Sequence, residues 1–98
     1  MYQLNISRDK LTDFCRQNDV DFLGVFGSAA RGEARPSSDV DLLVRFSQPK
    51  SLLELVKLER QFKALFGQEV DLITEGFLSP YIKDRVMADL HALYGTPR

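Results

Sequence analysis

Apolar residues recur along this chain with two periods, one helical and one of strands. Near the start, Leu11, Phe14 and Cys15 share a face at helical spacing behind Ser7, an apt N-cap, so a helix is expected from Ser7 to about Asn18. The run Asp21 to Gly27, DFLGVFG, reads as a strand ended by its glycine. A connector rich in glycine, proline and serine follows, with one helical turn expected from Ser28. From Asp39 to Phe46 the period is two: Val40, Leu42, Val44 and Phe46 fall on one face, Asp39 and Asp41 on the other.

Pro49 and Ser51 then introduce a helix to about Phe66, with Gly67 as its C-terminal stop. Its apolar positions, 52, 55, 56, 62, 65 and 66, span nearly half the circumference, more than one sheet contact needs. That leaves a choice between a helix wedged against two neighbours and one presenting a partner-binding edge. Glu59 and Lys63 fall within the arc at i, i+4 spacing. Glu69 to Ile73, EVDLI, is a third strand with Val70 and Leu72 inward and Asp71 facing away. Ser79 and Pro80 open a last helix with Ile82, Val86, Leu90 and Leu93 as its buried stripe and His91 on the opposite side.

The order is α-β-turn-β-α-β-α. The second and third strands flank a helix, which makes a right-handed, parallel βαβ unit; the first two strands, joined by a shorter connector, suit antiparallel pairing. The expected class is α/β, or α+β: a small mixed sheet with helices on one face and the aspartates on the other, more open face.

Ninety-eight residues suffice for one small domain, 1–98, with a single modest core. A formal net charge of −1 removes the basic surplus that a nucleic-acid binder uses against phosphates. The lone Cys15 forms no internal disulfide and suits a small buried apolar role. The start, MYQLNISRDK, has no signal-peptide core, and no run approaches a membrane span, so a cytoplasmic location without a membrane partner is expected. Tyr81 and Tyr94 read as amphipathic edge residues.

The chemistry lies in GSAARGEARPSSDVDLLV, Gly27 to Val44. Asp39 and Asp41, about 6–7 Å apart along one strand face, can grip a divalent ion, and Asp71 from the neighbouring strand completes a hard oxygen site. Magnesium suits it because it keeps waters and takes phosphate oxygens as its remaining ligands. Unmetallated, three such carboxylates repel one another and their pKa values rise. Two ions would activate an attacking oxygen and stabilise a leaving group. Gly27 lets the backbone approach a phosphate, and Ser28 adds a hydroxyl at the start of a helical turn whose N–H groups attract the same anion. Arg31 and Arg35, in the connector, are placed to brace a triphosphate tail, unless they are merely solvated.

The Gly-Ser pair, ten residues, Asp-Val-Asp and the later Asp71 resemble the signature of the DNA polymerase beta-type nucleotidyltransferases. The full stretch resembles their minimal nucleotidyltransferase (MNT) branch, and the likeness runs from the first strand to HALYG. It implies the polymerase beta-like nucleotidyltransferase fold, ATP as substrate and two magnesium ions. It also implies transfer of a nucleoside monophosphate to a hydroxyl with release of pyrophosphate. By position, Asp39 and Asp41 would hold both ions, Asp71 would share in metal binding and help activate the acceptor, and Gly27 and Ser28 would hold the β- and γ-phosphates. Proteins of this branch are commonly antitoxins that transfer AMP to a tyrosine of a HEPN ribonuclease toxin, so a hetero-oligomer with such a toxin is expected. The shortness of the chain fits an acceptor site completed by a partner. The alternatives are an antitoxin acting by binding alone, or transfer to a small molecule or an RNA end.

Overall fold

A computed structural model describes residues 7–27 and 39–95. Helix α1 (Arg8–Gln17) leads into strand β1 (Val20–Phe26). Strand β2 (Val40–Phe46), helix α2 (Leu52–Phe66) and strand β3 (Val70–Thr74) follow. A 3-10 turn at Glu75–Phe77 then leads to helix α3 (Pro80–Asp89) and strand β4 (His91–Tyr94). The four strands lie in the order β3-β2-β1-β4, with β2 and β3 parallel and β1 antiparallel to both β2 and β4.

The element ends follow local chemistry. Ser7 accepts from the Lys10 N–H at 3.2 Å, and Ser51 exchanges hydrogen bonds with Glu54 in a capping box. Gly67 ends α2 in the left-handed region, with φ of 71°. Ser79 caps α3 and Pro80 occupies its first turn.

On one face, Leu11 and Cys15 of α1 and Phe62 and Phe66 of α2 meet Leu23 and Val25 of β1, Val40, Leu42 and Val44 of β2 and Val70 of β3. This is the alternation expected of β2 and β3. Phe62 is its centre: fully buried, it meets the Phe14 ring edge-on at 5.0 Å and the Phe66 ring at 6.2 Å. Burial pushes the Cys15 thiol up to about 12, consistent with a packing role.

Two expectations change. The helix expected to run through Leu93 ends at Asp89: Leu90 is extended, with φ −64° and ψ 128°, and His91–Tyr94 pair antiparallel with β1. Leu93 does reach the core, but from a strand, and Ile82 is 44% exposed. The physical reason is β1, whose backbone needs a partner on the side away from β2. Gly95, with φ of 78°, ends β4 against the Asp21 carbonyl, where any side chain would collide.

The second change concerns the faces of the sheet. The expected one-sided cover holds for α1 and α2, whereas α3 packs on the other face, where Val86 joins Phe22, Phe26 and Leu43. Those apolar groups share a face with the aspartates and need shelter from water. Gly24 lets the helix end come close, since a Cβ there would sit 2.6 Å from Leu90 Cδ1. Phe62→Ala should cost about 3–5 kcal/mol, read as a lowered urea midpoint with an unchanged slope.

Candidate active site

The carboxylates gather where β1 ends and β2 and β3 begin. Asp41, partly buried in β2, is the register partner of the exposed Asp71 in β3. Neighbouring strands lie about 4.8 Å apart, so these two side chains stand abreast on one face. Asp39, exposed just before β2, is two residues back along that face. On the other flank, Asp41 pairs with Phe26, the last residue of β1. Because β1 runs antiparallel to β2, its C-terminal end delivers Gly27 to this same corner.

Gly27 is needed there twice over. Its φ of 75° lies in the left-handed region, and a Cβ on it would stand 2.6 Å from Asp41 Oδ2. The backbone thus passes directly against the central carboxylate. Ser28, Arg31 and Arg35, expected to bind phosphates, lie outside the described residues. His91, register partner of Val25 on β4, belongs to a different strand from the aspartates.

The three negative charges are felt at the centre. Burial, then the charge of Asp71, then that of Asp39 hold the Asp41 carboxyl above its ordinary range. Among the described residues, no three acidic, histidine or cysteine side chains are drawn together tightly enough to hold an ion by themselves. A divalent ion here would need further oxygens from a phosphate and water, which is how magnesium is usually held. The donor chemistry fits such an ion: hard carboxylates abreast, with a repulsion that a cation relieves. Helix α2 returns to begin β3, so its C-terminal end, the negative end of its dipole, lies at the same end of the sheet.

One part of the site was not anticipated. Beside Phe26, the α3 residues Ile82, Arg85, Val86 and Asp89 wall a cleft of about 460 Å³. Their spacing of three, four and seven marks one helical stripe, but only the placement of α3 on the aspartate face brings that stripe to the site. At the far end of the same face, Arg45 bonds Asp21 at 3.1 Å and lies 5.6 Å over the Phe22 ring.

Two outcomes follow for the bare protein. Asp41 binds its proton more tightly folded than unfolded, so its ionisation costs stability as pH rises above about 3.8. Asp41→Asn should therefore melt above the wild type at pH 7, the gap closing as pH falls below that value, and magnesium should narrow it. Gly27→Ala should lower stability by about 1–3 kcal/mol through its backbone conformation, read by thermal unfolding.

The family model of the nucleotidyltransferase domain matches residues 8–93. A Methanocaldococcus jannaschii protein, provisionally named a protein adenylyltransferase, is 37% identical over 84 residues, 86% of this chain and 90% of its own. The protein adenylyltransferase MntA of Thermococcus cleftensis is 44% identical over 68 residues, 69% of each chain. Among solved structures, a toxin-antitoxin complex with AMP-PNP superposes with a TM-score of 0.76 at 22% identity, over 93% of this chain and 75% of that one. A complex of the tri-AMPylated HEPN toxin of Shewanella oneidensis with MNT antitoxin gives 0.67 at 20% identity, over 91% and 70%. At these identities the two structures speak for the fold, while the family match and the sequence relatives speak for descent. With its Gly27, Asp41 and Asp71 corner built on that fold, the chain belongs to the nucleotidyltransferase family, in its minimal, MntA-type protein adenylyltransferase branch.

Proposed function

We propose that this nucleotidyltransferase is an antitoxin that transfers AMP from ATP to a tyrosine hydroxyl of a cognate HEPN ribonuclease toxin and thereby silences it. The observation that carries the reading is the side-by-side placement of Asp41 and Asp71, with the left-handed Gly27 backbone against Asp41. A nucleoside triphosphate with its divalent ions would bring to that corner the positive charge that relieves the carboxylate repulsion.

In this reading Asp39, Asp41 and Asp71 would hold the magnesium ions, and Gly27 and Ser28 would receive the β- and γ-phosphates. The ions, when bound, neutralise the developing phosphate charge. The toxin hydroxyl attacks the α-phosphorus, the bond from that phosphorus to its bridging oxygen breaks, and pyrophosphate leaves. Asp71, beside the nucleophile, takes the hydroxyl proton. Arg31 and Arg35 brace the departing pyrophosphate. The cleft under α3, about 460 Å³, has the volume of a small-molecule site and adjoins the carboxylates, which suits the nucleoside. No helix among the described residues is long and apolar enough to cross a membrane.

The test is direct. Purified protein with ATP, magnesium and a cognate HEPN toxin should add AMP mass to a toxin tyrosine. Asp41→Asn should lower that rate by at least about 100-fold, the scale of losing a centre that stabilises transition-state charge. Toxin suppression in cells that survives Asp39→Asn with Asp41→Asn intact would mean that silencing works by binding alone.

A further inference from the structure

Packing leaves two residues of α3 unexplained. Ile82, expected in the buried stripe, is 44% exposed, whereas Val86 one turn on is 6% exposed. Arg85, between them in the chain, is exposed as well. Among the described residues no carboxylate forms an ion pair with it, neither Asp89 one turn along the helix nor Asp41 on β2. Both side chains line the cleft of about 460 Å³ beside Phe26, together with Val86 and Asp89. Three apolar side chains, a planar cation and a carboxylate thus surround one space.

That space adjoins the carboxylates. Phe26 is the register partner of Asp41, so the two stand about 5 Å apart across the ladder and on one face. The rest of a molecule whose phosphate is held at Asp41 can reach the cleft directly. A further phosphate does not suit the cleft, because Phe26, Ile82 and Val86 are apolar and Asp89 is negative. A flat, uncharged ring with polar edges does. A guanidinium plane stacks on such a ring and is attracted to its π face, which the compact ammonium of lysine matches less well.

We propose that Arg85 holds the nucleobase of the bound nucleoside triphosphate by stacking on it, with Phe26, Ile82 and Val86 as the apolar surfaces around the ring. A stacked guanidinium responds to ring area rather than to the pattern of donors and acceptors at the ring edge. It therefore favours purine over pyrimidine nucleotides without choosing between adenine and guanine. The contact is equal in the ground state and the transition state, so it governs binding and leaves the chemical step alone. The inference rests on the carboxylate corner being a nucleotide site, as proposed above, and is independent of the acceptor.

The test compares AMP-PNP with inorganic tripolyphosphate, each with magnesium, by calorimetry on the full-length protein. Arg85→Ala should weaken AMP-PNP binding about 5- to 30-fold, the range of one cation–π contact, and leave tripolyphosphate binding unchanged. Arg85→Lys, which keeps the charge but not the plane, should recover only part of that loss. The wild type should bind ATP more tightly than CTP, and Arg85→Ala should narrow the difference. In AMP transfer, Arg85→Ala should raise KM for ATP and leave kcat near the wild-type value. Unchanged AMP-PNP binding in Arg85→Ala overturns the proposal. So does an equal loss of both ligands, which makes Arg85 a phosphate ligand, or full recovery by lysine. A wild type that binds AMP-PNP no better than tripolyphosphate overturns it too. If AMP-PNP binding depends on Arg85 but no toxin tyrosine gains AMP, the nucleobase site stands and the antitoxin reading fails. AMP transfer with an unaltered KM in Arg85→Ala means the reverse.

Discussion

The parallel pairing of β2 with β3 carries the structure, and the register of that pairing decides the chemistry. On the helix-covered face the register aligns Val40 with Val70, Leu42 with Leu72 and Val44 with Thr74. On the other face the same register sets Asp41 beside Asp71, two like charges that repel. A slip of one residue would turn the valines and leucines to solvent and the aspartates into the core, so the apolar face holds the acidic one in place. The carboxylate pair needs no local device of its own. It is pinned from behind by Phe62, Phe66 and the strand residues they cover.

That arrangement explains how so few residues position a site. The crossover through α2 makes β3 parallel, while the antiparallel β1 brings its C-terminal end to the start of β2. Gly27, Asp41 and Asp71 therefore meet at one corner although they come from three strands. The corner is kept strained in two senses: Asp41 is partly buried beside the like charges of Asp71 and Asp39, and Gly27 occupies a backbone region that side chains avoid. Bound phosphate and divalent cation would relieve the first of these.

The two sides of the carboxylate face are unlike. Toward β1, α3 shelters Phe22, Phe26 and Leu43 and leaves a cleft next to Phe26. Toward β3 no further strand follows among the described residues, and the exposed leucines of α2 lie on the opposite face.

Much of this was legible in the residues. The caps at Ser7, Ser51 and Ser79, the stop at Gly67 and the alternation of β2 and β3 each express a local preference, so sequence suffices for them. The alternation that sets Asp39 and Asp41 on one face of β2 was legible in the same way, and Gly27 at the end of β1 does lie against Asp41. The segment after Asp89 was not legible. Four residues, HALY, carry too little period to separate the end of a helix from a strand, and β1's need for a second partner decided the matter. The position of α3 was hidden for the same reason. Its weak stripe says that it is covered but not by which face of the sheet, and Arg85 reached the carboxylate side only through that choice. By itself, then, the sequence determined most of the elements, their caps and which carboxylates stand on one strand face, since these depend on neighbours a few residues away. Tertiary structure decided which strand lies at the edge, which face α3 roofs and how Asp41 meets Asp71 and Gly27, because those contacts join segments that become neighbours only when the core is buried.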